Sequence, residues 1–261
     1  MVEMDASEAG NWTQLLRRAA AGDHFAQVYT DDDFLSEAVT EYASSGLRRG
    51  EGVILTATPA HRAAFMRVLA GEGALAVLQG QLRLFDAEDT LTRFTTDGVL
   101  DWQRFQRLLG GVVAEMRLEY PAVRAYGEMV DVLWQRGERD SAVQLEEFWN
   151  NLAQLQSFSL LCAYRMDNLD GEAYRGPLEC ICKSHTHLIS ARDHKQFDEA
   201  VVEASEAVLD RPLAQMLLSL SEQHRPRTGM PQGQATLLWL QRNMPRIADK
   251  VLAQVRSRYT D

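Results

Sequence analysis

The sequence predicts an α/β fold: a mostly parallel sheet with helices on both faces, followed by an α-helical C-terminal extension. Three observations predict it. Short apolar runs bounded by turn residues alternate with segments of helical period from His24 to Ser190. Some helical segments open on a capping residue or a proline, namely at Thr30 or Asp31, Pro59 and Pro177. Beyond Ser190 the strand signal disappears while the helical period continues.

The elements follow in order. Residues 1–22 are polar, with one short amphipathic piece around Trp12, Leu15 and Leu16, and read as a flexible N-terminal arm. HFAQVY is a first strand. The helix after it is capped by Thr30 or Asp31, carries Phe34, Leu35, Ala38, Val39, Tyr42 and Leu47 on one face, and is stopped by Gly50. GVILTAT is a second buried strand, Pro59 opens the helix PAHRAAFMRVLA, and QLRLFDA is a third strand.

AEDTLTRF gives a short helix and residues 101–120 a longer one. The longer helix has Trp102, Phe105, Leu108, Leu109, Val112, Val113 and Met116 as its stripe, with Gly110 and Gly111 off it. AVRAYGEM is a fourth strand and MVDVLWQRG a further short helix. Ala142, Leu145, Phe148, Trp149, Leu152 and Leu155 then recur at spacings of three and four, which predicts a helix from Asp140 or Ser141 to before Ser157. In that phase Glu147 is wet and Glu146 sits at the margin of the stripe. SFSLLCAY is a doubly buried strand, and PLECICKSHTHLIS a Pro177-initiated helix running into a strand around Thr186 to Ile189.

The extension, 191–261, contains helices over 193–224, a Pro/Gly-rich joint and a helical segment interrupted at Pro245. Leu217, Leu218, Leu220, Leu237, Leu238, Trp239, Leu240, Ile247, Val251, Leu252 and Val255 need cover, from the core, from each other or from a second copy in a homodimer.

Composition excludes some functions. The chain of 261 residues is 46% hydrophobic with net charge -10 and a pI near 5.1, which argues against a general nucleic-acid or anionic-membrane binder. No apolar run approaches the roughly 20 residues that span a bilayer, and the N-terminus lacks signal-peptide character, so a cytoplasmic protein is expected. The three cysteines, Cys162, Cys180 and Cys182, are expected as reduced thiols, with Cys162 in the core.

The first strand-to-helix turn is where a GxxxxGK[ST] phosphate loop belongs. Here it reads YTDDDFL, without glycine or lysine, and Asp31, Asp32 and Asp33 would repel a polyphosphate while suiting the helix N-terminus. Nucleotide triphosphate chemistry at this turn is not expected.

Taken together, HFAQVYTDDDFLSEAVTEYASSGLRRGEGVILTATPAHRAAF, LRLFDAEDTLTRF, YGEMVDVLWQRGERDSAVQLEEFWNNL, SFSLLCAY and ICKSHTHLIS resemble the sensory domain of methanogens, methylotrophs and the DcmR regulator, the MEDS family. The resemblance covers residues 23–190. It implies a three-layer relative of the RecA and KaiC ATPase fold without the phosphate loop, used as a cytoplasmic input module that senses small molecules. With no kinase or helix-turn-helix segment in the chain, an output through a partner in trans is expected.

Ligands of open α/β sheets bind beyond the C-terminal strand ends. Tyr29, Asp32, Thr58, His61, Asp86, Glu128 and Tyr164 lie at or just past such ends. Glu128 directly follows a buried strand, so its carboxylate is placed to accept hydrogen bonds from a ligand, or else to cap a helix or pair with Arg62 or Arg124. Glu146 with Trp149 suggests a helix-edge contact against the GEM segment, and Trp134 joins the ligand-binding candidates.

Cys180, Cys182, His185 and His187 form CxCxxHxH, four metal-ligand types crowded across a helix-to-strand transition. Metal, a ligand-facing pair of His185 and His187, and plain packing are the readings, and no metal or cofactor is expected. The whole predicts a non-catalytic sensory or signalling protein acting on a kinase or transcriptional regulator. The alternatives are a pure protein-interaction adaptor and an unconventional nucleotide binder or an enzyme using Glu128 or His185.

Overall fold

A computed structural model of the chain describes residues 6–189 and 194–259. The elements are α1 (Ala6–Arg17), β1 (His24–Tyr29), α2 (Asp32–Arg48), β2 (Gly52–Ala57), α3 (Pro59–Leu78), β3 (Leu82–Asp86) and α4 (Ala87–Arg93). A hairpin of β4 (Thr95–Thr96) and β5 (Val99–Leu100) follows, then α5 (Trp102–Phe105), a π-helical turn (Gln106–Gly110) and α6 (Gly111–Glu119). Next come β6 (Val123–Gly127), α7 (Met129–Gln135), α8 (Arg139–Leu155), β7 (Ser159–Arg165), a 3-10 turn (Gly171–Tyr174), α9 (Pro177–Ser184) and β8 (His187–Ile189). Four helices end the chain: α10 (His194–Val208), α11 (Arg211–Gln223), α12 (Gln232–Asn243) and α13 (Pro245–Tyr259).

The main sheet has six strands in the order β3-β2-β6-β7-β1-β8 and is flanked by helices, a three-layer α/β arrangement. β2 pairs in parallel with β3 and with β6, and β6 in parallel with β7. β1 is in register with β7, since Leu160 N–H donates to Asp23 O and Met166 N–H to Tyr29 O. Every residue of β1, β2 and β6 is buried, as expected of strands covered on both faces.

The chain divides into two compact units, the first comprising 1–27 and 31–164, the second 28–30 and 165–261. The extension expected from 191 lies within the second unit. Residues 190–193, and residues 1–5 of the expected arm, lie outside the described residues.

In the first unit, α1 packs on α2, contrary to the loosely attached arm expected there. Leu16 is fully buried, Trp12 meets Phe34 edge to face at 5.6 Å, and Arg17 pairs with Glu41 at 2.7 Å. The anchor is Arg124 of β6. Its guanidinium meets Glu51 at 2.5 Å and donates to the carbonyls of Leu16 (2.7 Å), Arg17 and Tyr42 (both 3.1 Å). These contacts reinforce the last turn of α1, where the Leu16 carbonyl also accepts from Ala19 N–H and the Arg17 carbonyl from the Arg49 guanidinium.

Two expected helical phases need correction. Gly110 is buried, with an added Cβ only 3.0 Å from Leu152, because the π-helical turn shifts the phase and brings this glycine against α8. In α8, Glu146 is 3% exposed and so lies within the buried face, whereas Leu155, the last residue of the helix, is 61% exposed. The β4–β5 hairpin was not foreseen: Asp97 (φ 51°) and Gly98 (φ 79°) make its two-residue turn.

In the second unit α10, α12 and α13 pack on one another and α11 on α10 and α12, which covers part of their apolar surface and leaves Leu213 and Met216 of α11 exposed. Phe197, Val201, Leu237, Leu240, Val251 and Val255 are buried there. Asp198 accepts from Gly233 N–H at 2.6 Å, and burial raises its carboxyl above the usual range. Leu188 of β8 donates its N–H to Thr228 O at 2.7 Å. Among the described residues no helix is long and apolar enough to cross a membrane.

Candidate functional site

The strand order fixes where a site can open. From β2 the chain moves outward to the β3 edge, whereas from its neighbour β6 it moves the other way to β7. Adjacent strands whose connections diverge leave a crevice beyond their C-terminal ends. Glu128 directly follows β6, Thr58 directly follows β2, and His61 stands in the first turn of α3, so three of the expected residues stand at this crevice.

Glu128 is 2% exposed. Its backbone N–H donates to Thr56 O at 2.9 Å, which extends the β2–β6 pairing one residue past β6 and turns the side chain toward β2. Oε2 accepts from Thr58 N–H at 2.9 Å, and Oε1 from Thr58 Oγ1 at 3.1 Å and His61 Nδ1 at 2.5 Å. A carboxylate offers about four acceptor positions, so these three bonds leave room for one more donor. The expected pairing of Glu128 with Arg62 or Arg124 is not formed: Arg124 is committed to Glu51, and Arg62 lies 3.9 Å from Asp86.

His61 is the bridging group. Because a carboxylate can only accept, Nδ1 carries the proton donated to Glu128, while Nε2 stands 3.6 Å from Asp32 Oδ1. Its ring stacks on Phe65 at 5.9 Å. The hydrogen bond to Glu128 raises the imidazole above its ordinary value, burial opposes this, and the charges of Glu128 and Asp32 add to the rise. The rim thus brings together Asp32, Thr58, His61 and Glu128, while Asp86 at the end of β3 caps α4 by accepting from Glu88 and Asp89 N–H.

A second polar cluster lies in the core of the same unit. Tyr164 of β7 donates its hydroxyl to Glu146 Oε1. His24, at the start of β1, places Nε2 3.3 Å from Glu146 Oε2 and 3.4 Å from Cys162 Sγ, with Nδ1 3.0 Å from Asn150 Oδ1. Burial first, then the neighbouring Glu146 charge, pushes both the Cys162 thiol and the Tyr164 hydroxyl well above their ordinary values. One donor atom each from His24, Glu146 and Cys162 lies within 4.8 Å of the others, which makes these the residues of this unit that could hold a metal.

The other expected residues are placed as follows. Trp134 meets Tyr164 edge to face at 5.9 Å and lies under the Arg139 guanidinium at 4.8 Å. Trp149 is 1% exposed, packs on Phe105 at 5.0 Å, and its indole ring would touch a Cβ at Gly127 at 3.4 Å, so α8 does lean on the GEM segment. Tyr29, buried at the end of β1, carries the Arg165 guanidinium over its ring at 5.1 Å.

In CxCxxHxH, Cys180 is exposed and Cys182 half-buried, its thiol pushed up to about 11 by burial. His185 is buried with Nδ1 2.7 Å from Ile181 O, and His187 opens β8 half-buried. Among the described residues this segment alone gathers no group of three donor atoms.

Sequence reasoning missed His24, Asn150 and the Glu51–Arg124 pair. A histidine opening an otherwise apolar strand was the available signal for the first. The others need the tertiary pairing.

The family model described as MEDS, the methanogen/methylotroph, DcmR sensory domain, matches residues 23–186. No curated protein sequence and no solved structure matches the chain.

Proposed function

The chain belongs to the MEDS family of sensory domains, and from that premise we propose that it is a non-catalytic cytoplasmic sensor that binds a small molecule beyond β2 and β6. The observation that carries this reading is Glu128, a buried carboxylate at the crevice between diverging strands whose three hydrogen bonds come from Thr58 and His61. A ligand with an N–H or O–H donor would take the remaining acceptor position or displace His61 from Oε1. Either event alters the link between the turns after β1, β2 and β6, because His61 also faces Asp32. Differential affinity for two arrangements of these turns is what a sensor needs to shift its population. The carboxylates of Asp32, Asp86 and Glu128 favour neutral or cationic ligands over anionic ones.

The output is proposed to pass to a kinase or transcriptional regulator in trans. Native mass spectrometry of protein purified from its own cells tests the ligand. A small non-covalent mass on the wild type that is absent from a folded Glu128→Gln variant is expected. Identical masses for the two would favour a pure adaptor, the second reading left by the absence of P-loop residues in YTDDDFL.

A further inference from the structure

We propose that His24, Glu146 and Cys162 form a binding site for a borderline divalent cation of the zinc class. This site is separate from the Glu128 crevice and does not depend on the sensory reading.

The three residues come from the start of β1, the middle of α8 and the middle of β7, and they are 6%, 3% and 0% exposed. Imidazole nitrogen, carboxylate oxygen and thiolate sulfur are the donor types that such cations take. With metal bonds of about 2.0–2.3 Å, tetrahedral coordination separates nitrogen from oxygen by about 3.3 Å and nitrogen from sulfur by about 3.6 Å. The observed separations from His24 Nε2 are 3.3 Å to Glu146 Oε2 and 3.4 Å to Cys162 Sγ.

The surrounding bonds orient these donors. Asn150 Oδ1 can only accept, so His24 Nδ1 carries a proton and Nε2 is the nitrogen turned toward oxygen and sulfur. The Tyr164 hydroxyl occupies Glu146 Oε1 and leaves Oε2 on the side of His24. Metal-bound histidines and carboxylates are held by partners of this kind. Without a metal these contacts are held by protons, since the Cys162 thiol hydrogen-bonds to Glu146 and an Nε2 proton can serve the same carboxylate. A divalent cation would satisfy nitrogen, oxygen and sulfur together, displacing the thiol proton to solvent as it binds.

Cobalt(II) is the probe, added to the reduced, chelator-treated full chain and, in parallel, present during refolding. Binding of one equivalent with a thiolate-to-cobalt charge-transfer absorption and strong four-coordinate ligand-field bands is expected. The charge-transfer band should vanish in Cys162→Ser and persist when Cys180 and Cys182 are both changed to serine. Asn150→Ala, at a half-buried position, should keep the band but weaken affinity by roughly 10–100-fold. No thiolate band by either loading route, or a band that follows Cys180 and Cys182 instead of Cys162, would overturn the proposal.

Discussion

The Nδ1 proton of His61 is donated to Oε1 of Glu128 across 2.5 Å while Nε2 of the same ring stands 3.6 Å from Asp32. One imidazole therefore joins the turns that follow β1, β2 and β6.

This linkage predicts a pH dependence. The folded-state value of His61 is raised above its ordinary 6.5, so the folded protein holds the proton more tightly than the unfolded chain does. The stabilisation is fully present below the ordinary value and is lost as pH rises through the raised folded-state one. Denaturant unfolding of wild type and His61→Gln should show a stability gap that narrows as pH rises from mildly acidic to mildly alkaline. A widening gap would contradict the assignment.

Arg124 and Glu51 are 1% and 4% exposed, and the guanidinium also holds the end of α1. Arg124→Met would leave buried Glu51 with the half-exposed Arg49 as its remaining ion partner and would take one donor from each of two helix-end carbonyls. A loss of about 3–5 kcal/mol in unfolding free energy is expected. Arg124→Met combined with Glu51→Leu should recover much of it.

The hairpin turn at Asp97 and Gly98 needs positive φ at both positions, 51° and 79°. Gly98→Ala puts a Cβ where L-residues are strained, at a cost of about 1–2 kcal/mol. Hydrogen exchange should rise in 95–101, and little elsewhere.

Most strands and helices were legible because apolar runs and helical periods report burial directly. HFAQVY, GVILTAT and SFSLLCAY became β1, β2 and β7, and Asp31 caps α2 by accepting from Asp33 N–H at 2.9 Å. Glu128 was legible as a strand-end residue. Its partners were not, because Thr58 and His61 reach it only through the pairing of β2 with β6. The phase of α8 underrated Glu146: a charged residue at the stripe's margin becomes internal when His24 and Tyr164, far away in sequence, close over it. The π-helical turn misplaced Gly110 for a related reason, since one extra residue per turn leaves no mark on the apolar spacing.

The most direct measurement is the melting temperature of wild type and Glu128→Gln against a panel of small amines, alcohols and carboxylic acids. At least one donor-bearing compound should raise the wild-type value, by an amount equivalent to about 2.7 kcal/mol at a hundredfold excess over Kd, and leave the variant unmoved. An unchanged melting temperature with every compound, or equal shifts in both proteins, would contradict a ligand site at Glu128.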